Sequence, residues 1–269
     1  MPVASLYLLA LTTDTSSFLN SLRSARTVIV SSRPRHAVIR PTILDKDILT
    51  KTPWDLLVLI QPPPDSPPIP PTLQSKIKTQ YHLTVGIPSK LLSTYASRDE
   101  SLKRTAPSIP LTGSLDQARS KPSSQNLELS PELISFMDEL TPQHPGPVTM
   151  LNLLHFNQPG GKKSYYQYGQ AFIPVAGRRG GDAKLVGNVV KPKSAIDAVV
   201  DSRGDWARRE EDWWNEISIV HYPSIRHFCD MLAGEDYQGI NEKYRLSALK
   251  DTFLLCTTEF DVESSSAKL

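Results

Sequence analysis

Cysteine is nearly absent: Cys229 and Cys256 are the only two in 269 residues. That count excludes a disulfide scaffold, and without a CxxC pair or Cys/His spacing it gives no metal site. Each cysteine lies in an apolar periodic segment, so both read as small buried hydrophobes of a chain held in a reducing compartment, the cytoplasm. An excess of one charge sign is missing too. The 30 basic and 28 acidic residues leave a net charge of +2 and are interspersed rather than blocked. The pairs Arg178-Arg179 and Arg208-Arg209 are too short for a phosphate track, and no nucleic-acid reader motif accompanies them. No apolar run reaches the roughly 18 residues of a membrane span. The apolar stretch Val3–Leu11 has no basic region before it and no small-x-small cleavage site after it, so it reads as a first strand. GxSxG, GxGxxG and HExxH are all missing; Gly160-Gly161-Lys162-Lys163 lacks phosphate-loop spacing and reads as a turn.

What is plentiful is proline, with 23 residues, and serine. Both gather in polar stretches, which hold the hydrophobic content to 39% and leave enough apolar residues elsewhere for proper cores. Length alone favours two domains of ordinary size. In the first half, Val3–Leu11 is strand-like, and the capping cluster Asp14-Thr15-Ser16-Ser17 opens a helix carrying Phe18, Leu19 and Leu22. Strand-like runs follow at 27–30, 36–43 and 54–61, the last stopped by Pro62-Pro63-Pro64, since proline cannot donate to a ladder. A short helix at 72–80 and a strand at 81–87 complete a β-α-β-β-α-β order. Residues 97–147 are rich in Ser, Pro, Lys, Asp and Gln and mark a linker. Within it, Ser130-Pro131 caps one short amphipathic helix carrying Leu133, Ile134, Phe136, Met137 and Leu140.

The second half repeats the order. Val148–Phe156 is a strand, 164–177 a helix with Tyr165, Tyr168, Phe172 and Val175, and 183–190 a strand. A charged insertion at 193–212 reads as an exposed hairpin loop or lid. A strand at 214–222, a helix opened by Pro223-Ser224 and a last strand at 253–260 follow. Both halves hold a Trp-led strand that ends at proline, Trp54…Pro62 and Trp214…Pro223. The expected fold is therefore α+β: two tandem ferredoxin-like βαββαβ domains forming a pseudo-dimeric α/β barrel, each hiding the other's apolar sheet face. The boundaries are a degenerate domain at 1–96, the linker at 97–147, the second domain at 148–262 and a disordered tail at 263–269.

The motifs Val148-Thr149-Met150-Leu151-Asn152-Leu153-Leu154, Tyr165-x-x-Tyr168, Leu185-x-Gly187, Ile219-Val220-His221-Tyr222-Pro223-Ser224, Asp236-Tyr237-Gln238 and Arg245 resemble the DUF1330 family of the dimeric α/β-barrel superfamily. The resemblance covers the second half only, and the first half has no matching motif. It implies a fold and a pocket between sheet and helices. Wider relatives of that superfamily include cofactor-free monooxygenases, polyketide cyclases and muconolactone isomerases, most of them working without a metal on flat organic molecules.

Strand parity sorts the candidate residues. Met150, Asn152, Leu154 and Phe156 share one face of their strand; Leu151, Leu153 and His155 share the other. Asn152 is either a structural tie or a group that orients a carbonyl or phenol. Histidine titrates near neutrality, and His221 is the expected general base because Asn215, Ile217 and Ile219 make its face look mixed. Tyr168 and Asn152 are the expected hydrogen-bonding stabilisers of a developing enolate, with Tyr165 beside them, unless the tyrosines are core. Arg245 either pairs with Asp236 or Asp251 or grips a substrate carboxylate, and Trp214 and His155 are the other substrate contacts expected. The expected activity is acid–base cyclisation, isomerisation, dehydration or decarboxylation of a polyketide-like or aromatic carbonyl compound, in secondary metabolism, without cofactor or metal. A cofactor-free monooxygenase and a non-catalytic binding or scaffold protein are the rivals. The expected partner is a small molecule, not nucleic acid or a membrane, and the expected state is a monomer with an internal pseudo-dimer or a homodimer.

Overall fold

The computed structural model describes residues 1–62, 66–118, 120–191, 201–205 and 207–262. Eight strands are involved: β1 (Val3–Leu11), β2 (Thr27–Ile39), β3 (Leu56–Gln61), β4 (Ile77–Gly86), β5 (Val148–Phe156), β6 (Asp182–Val189), β7 (Glu216–Tyr222) and β8 (Leu249–Glu259). The helices are α1 (Thr15–Ala25), α2 (Lys46–Lys51), α3 (Pro71–Gln74), α4 (Ser89–Thr105), α5 (Pro131–Gln143), α6 (Gly161–Gly177), α7 (Ile225–Ala233) and α8 (Glu235–Ile240). None of the described helices is long and apolar enough to cross a membrane.

The strands close into one barrel in the order β1-β3-β2-β8-β5-β7-β6-β4, and every pairing is antiparallel. This corrects the expected fold class. Instead of two ferredoxin-like domains covering each other's sheet faces, the halves join edge to edge in a single continuous sheet. Edge β2 pairs with β8 over six register positions, from Ser32↔Glu259 to Ile39↔Leu254. Edge β4 meets β6 at Val85↔Val189 and Gly86↔Asn188. The physical reason is that a free edge exposes unpaired N–H and C=O groups, and closure joins those edges, with residues 201 and 202 bonding the part of β4 beyond the short β6 seam. Gly187 matters at the shorter seam, because an added Cβ would fall 2.5 Å from Val85 Cγ1 and 3.0 Å from the Gly86 carbonyl.

Strand β2 unites two runs that the sequence separates. Pro34 lies where the β2–β8 register shifts, the kind of position that tolerates a residue without an N–H. Helix α4 crosses the point at which the linker is expected to begin. Its Asp99 faces inward, paired with Lys103 and Lys184, so a buried position carries a charge and hides the helical stripe. The capping readings are matched by hydrogen bonds: Ser17 N donates to Asp14 Oδ2 at 2.8 Å, and Leu133 N to Ser130 Oγ at 3.2 Å. Of the loop expected at 193–212, residues 193–200 and 206 lie outside the described residues, as does the tail at 263–269. In the described part Gly204, Asp205, Ala207, Arg209, Glu210 and Glu211 are exposed, while Asp201 and Arg203 are buried and Thr84 N donates to Asp201 Oδ2 at 3.1 Å.

Because strand side chains alternate, the barrel has one interior core and two outer layers. The interior takes Leu6, Leu8, Leu57, Leu59, Leu151, Leu153, Ile217, Ile219, Phe253 and Leu255 from both halves. Outside, α1 and α3 cover the first half's strands, while α5 to α8 cover those of the second.

Candidate active site

On the second half's outer face the strands offer Met150 and Asn152 from β5, and Glu216, Ser218, Val220 and Tyr222 from β7. Asn152 stands opposite Ser218, and Leu154 opposite Glu216. Helix α6 lays an aromatic row over them. Ring centroids are 5.4 Å apart for Phe156–Tyr165, 5.2 Å for Tyr165–Tyr168 and 5.6 Å for Tyr168–Phe172. Between helix and sheet lies a cavity of about 500 Å³, within the size range of small-molecule sites. Its outer lining includes Leu91 and Arg98 of α4 and the exposed Tyr166 and Ile173 of α6, with Arg98 held to Asp182 at 2.7 Å.

Arg245 closes the inner end. It terminates a π-helical turn, Asn241–Arg245, a geometry often found at functional sites. The turn is tied down by Asn241 Nδ2, which donates to the Asn126 carbonyl at 2.8 Å, and by Ser164 Oγ, which donates to the Tyr244 carbonyl at 2.9 Å. Arg245 is 2% exposed, and its Nη2 has no hydrogen-bond partner among the described residues. Its expected structural partners are engaged elsewhere. Asp236 accepts two hydrogen bonds from Arg179, both at 3.1 Å. Asp251 accepts from the backbone of Thr42, Ile43 and Leu44 at 2.9, 2.9 and 2.7 Å.

The cavity is electrostatically uneven. Burial pushes the Glu216 carboxyl above its ordinary range, an effect that Lys162 offsets only in part. Lys162 itself donates to Asn188 Oδ1 at 2.8 Å. Burial also raises the Tyr165, Tyr168, Tyr222 and Tyr237 phenols, with Arg245 pulling each of them back somewhat. These phenols therefore stay protonated and act as donors at neutral pH. Tyr168 and Tyr237 share a hydrogen bond of 3.2 Å. Asn152 Nδ2 makes only a long 3.3 Å bond to the Met150 carbonyl, which leaves the amide available to a ligand.

Of the six expected site residues, Asn152, Tyr168 and Arg245 line this cavity together. His221, His155 and Trp214 do not, and their placement corrects the assignment. Parity turns His221 and His155 into the barrel interior, and Trp214, which lies just before β7, packs into the same interior core. His221 is 1% exposed, and neither ring nitrogen has a partner among the described residues. Burial, followed by the Lys184 charge, pushes it down to about 3, so it is a neutral and very weak base at pH 7. His155 shares a 2.8 Å hydrogen bond with the Glu211 carbonyl. Trp214 Nε1 donates to Tyr81 Oη at 2.8 Å, and that hydroxyl donates to Asp45 Oδ2 at 2.7 Å. Glu216 and Ser218 are the residues that sequence reasoning missed. The available signal was that both interrupt an apolar strand on the face opposite Ile217 and Ile219.

A second polar cluster lies at one end of the barrel. Asp99, Glu259 and Asp261 are close enough to share a cation. Lys103 already bonds all three, at 2.5, 2.5 and 2.7 Å, and Lys184 bonds Asp99 and Glu259. Two ammonium groups thus occupy the positions a metal would need, and the donor set does not fit one.

No family model matches the chain, and no curated protein matches it. A solved structure described as "Crystal structure of methylated RPA0582 protein" is similar over 45% of this chain and 89% of its own, at 24% identity and a TM-score of 0.32. A likeness that shallow carries no argument about this chain.

Proposed function

We propose that the chain is an enzyme of small-molecule metabolism that moves protons on a carbonyl compound within the cavity under α6. One observation carries this reading: Glu216, a carboxyl with no ion-pair partner among the described residues and a raised proton affinity, lines the same largely apolar cavity as two phenols and an amide. A carboxyl shifted toward neutrality is better matched to general acid–base work than an ordinary surface one. In this reading the Glu216 carboxylate takes a proton from the carbon next to the carbonyl, and the electron pair moves onto the carbonyl oxygen. Tyr165, Tyr168 and Asn152 donate hydrogen bonds to the resulting enolate. The protonated Glu216 then returns its proton at another atom, which gives isomerisation, or lets a leaving group depart, which gives dehydration. Cyclisation and decarboxylation use the same enolate, and no cofactor takes part in these steps.

The motif resemblance to the DUF1330 family points to the same pocket but names no reaction. The free, buried Cys229 and Cys256 suit a reducing compartment, and we place the protein in the cytoplasm. The test is an untargeted comparison of small molecules in one host expressing the native chain or Glu216→Gln. A compound consumed by the native protein is expected to persist with the variant. Identical profiles from the two, with both proteins folded, would overturn the reading.

A further inference from the structure

Resting on the reading of this cavity as a small-molecule site, we infer that its ligand is a flat organic carboxylate whose anionic group binds Arg245. The guanidinium is a cation that is 2% exposed. A buried cation is normally paired, because desolvating it without a counter-charge is costly. Among the described residues no carboxylate lies within ion-pairing distance of Arg245. Asp236 and Asp251 are committed to Arg179 and to the 42–44 backbone. Glu216 lines the same cavity without pairing to it. The surrounding phenols are neutral, so they pack the guanidinium without balancing it.

A bound carboxylate supplies the missing charge, and its two oxygens match the guanidinium fork. Arg245 is the buried cation of the described lining, while the Lys162 ammonium is solvent-exposed and bonded to Asn188, so a monoanion fits better than a phosphate dianion. Shape narrows the class further. Tyr168, Phe172, Tyr222 and Phe228 wall a space of about 500 Å³ against the sheet, which suits a planar body of about one to two rings. The acid end then sits on Arg245 and the carbonyl end reaches Asn152 and Glu216.

Titration calorimetry with 2-naphthoate and its uncharged counterpart 2-naphthamide tests the inference on the full chain. The native protein is expected to bind naphthoate about 10- to 100-fold more tightly than the amide. In Arg245→Met that ratio falls to about one, while the amide still binds, which also shows the variant to be folded. If Arg245→Met does not fold, Arg245→Lys retains a charge but not the fork, and is expected to keep a reduced preference for naphthoate. Equal affinities in the native protein, no binding of either probe up to its solubility limit, or an undiminished preference in Arg245→Met or Arg245→Lys would each overturn it. Glu216→Gln separates this inference from the enzymatic reading, because naphthoate preference is expected to persist there. A retained preference with unchanged metabolite profiles keeps the anion site and removes the enzyme; the opposite pair of results does the reverse.

Discussion

The two outer layers of the barrel cover strands in the same spatial order, β4-β1-β3-β2 and β8-β5-β7-β6, yet they are filled differently. Under α1 the layer is apolar: Phe18, Leu19 and Leu22 cluster with Tyr7, Leu9, Val58 and Ile60, all nearly or fully buried. Under α6 the strand face carries Asn152, Glu216 and Ser218, and the longer helix bridges a cavity rather than collapsing onto the sheet. An apolar layer gains by closing every void. A layer containing a lone guanidinium and a carboxyl does not gain in the same way, since collapse would strip those groups of solvent or ligand without providing partners. The difference assigns stability to one layer and chemistry to the other, over an interior core that both halves share.

Four substitutions sharpen or break that division. Glu216→Gln is expected to lower turnover of the cavity's substrate by roughly 10²- to 10⁴-fold. Its thermal stability should hold or rise slightly at neutral pH, because the carboxyl's raised proton affinity means that its ionised form is disfavoured in the fold. Next comes Phe18→Ala, expected to cost about 3–5 kcal/mol in denaturant unfolding, as for a large side chain removed from a filled core. Phe172→Ala borders open space already, so its cost should be roughly half as large or less; equal costs for the two phenylalanines would contradict the contrast between the layers.

The smallest effect is expected at His221, which belongs to the interior and to neither layer. Its folded proton affinity lies near 3, with burial the main cause, against about 6.5 in the unfolded chain. As the pH falls through about 6.5 the unfolded chain takes up the proton first, so the native state loses stability from there down toward about 3. His221→Leu removes that loss and two unpartnered buried nitrogens. Its unfolding free energy should fall less steeply between pH 6 and roughly 4, with a change of about 1 kcal/mol or less at pH 7. His155 and His36, shifted the same way, keep part of the slope. Turnover in His221→Leu should stay near native; a loss comparable to that of Glu216→Gln would move the active site into the barrel.

Local elements were legible where one residue type controls the backbone. Asp14 and Ser130 announce their helices through side-chain caps, and strand β5 runs over the residues its apolar pattern marks. Helix α4 was not legible, because the inward-facing Asp99 is satisfied by Lys184, a partner 85 residues away. The site was half legible. Asn152, Tyr168 and Arg245 stand out as polar groups within apolar or aromatic periods. Glu216 was passed over in favour of His221 because period-2 alternation separates the faces of β7 without saying which one points inward.

By itself the sequence determined which residues share a strand face or a helix stripe, since those depend on backbone periods of 2 and 3.6 residues. It also determined that two free cysteines and mixed charges are all the chain carries of their kind. Only the tertiary structure decided that the sheet edges meet and close, because pairing between β2 and β8 joins segments more than 200 residues apart. Closure then chose the inner face, sending His221, His155 and Trp214 into the core and leaving Glu216 beside Asn152, Tyr168 and Arg245 in the cavity.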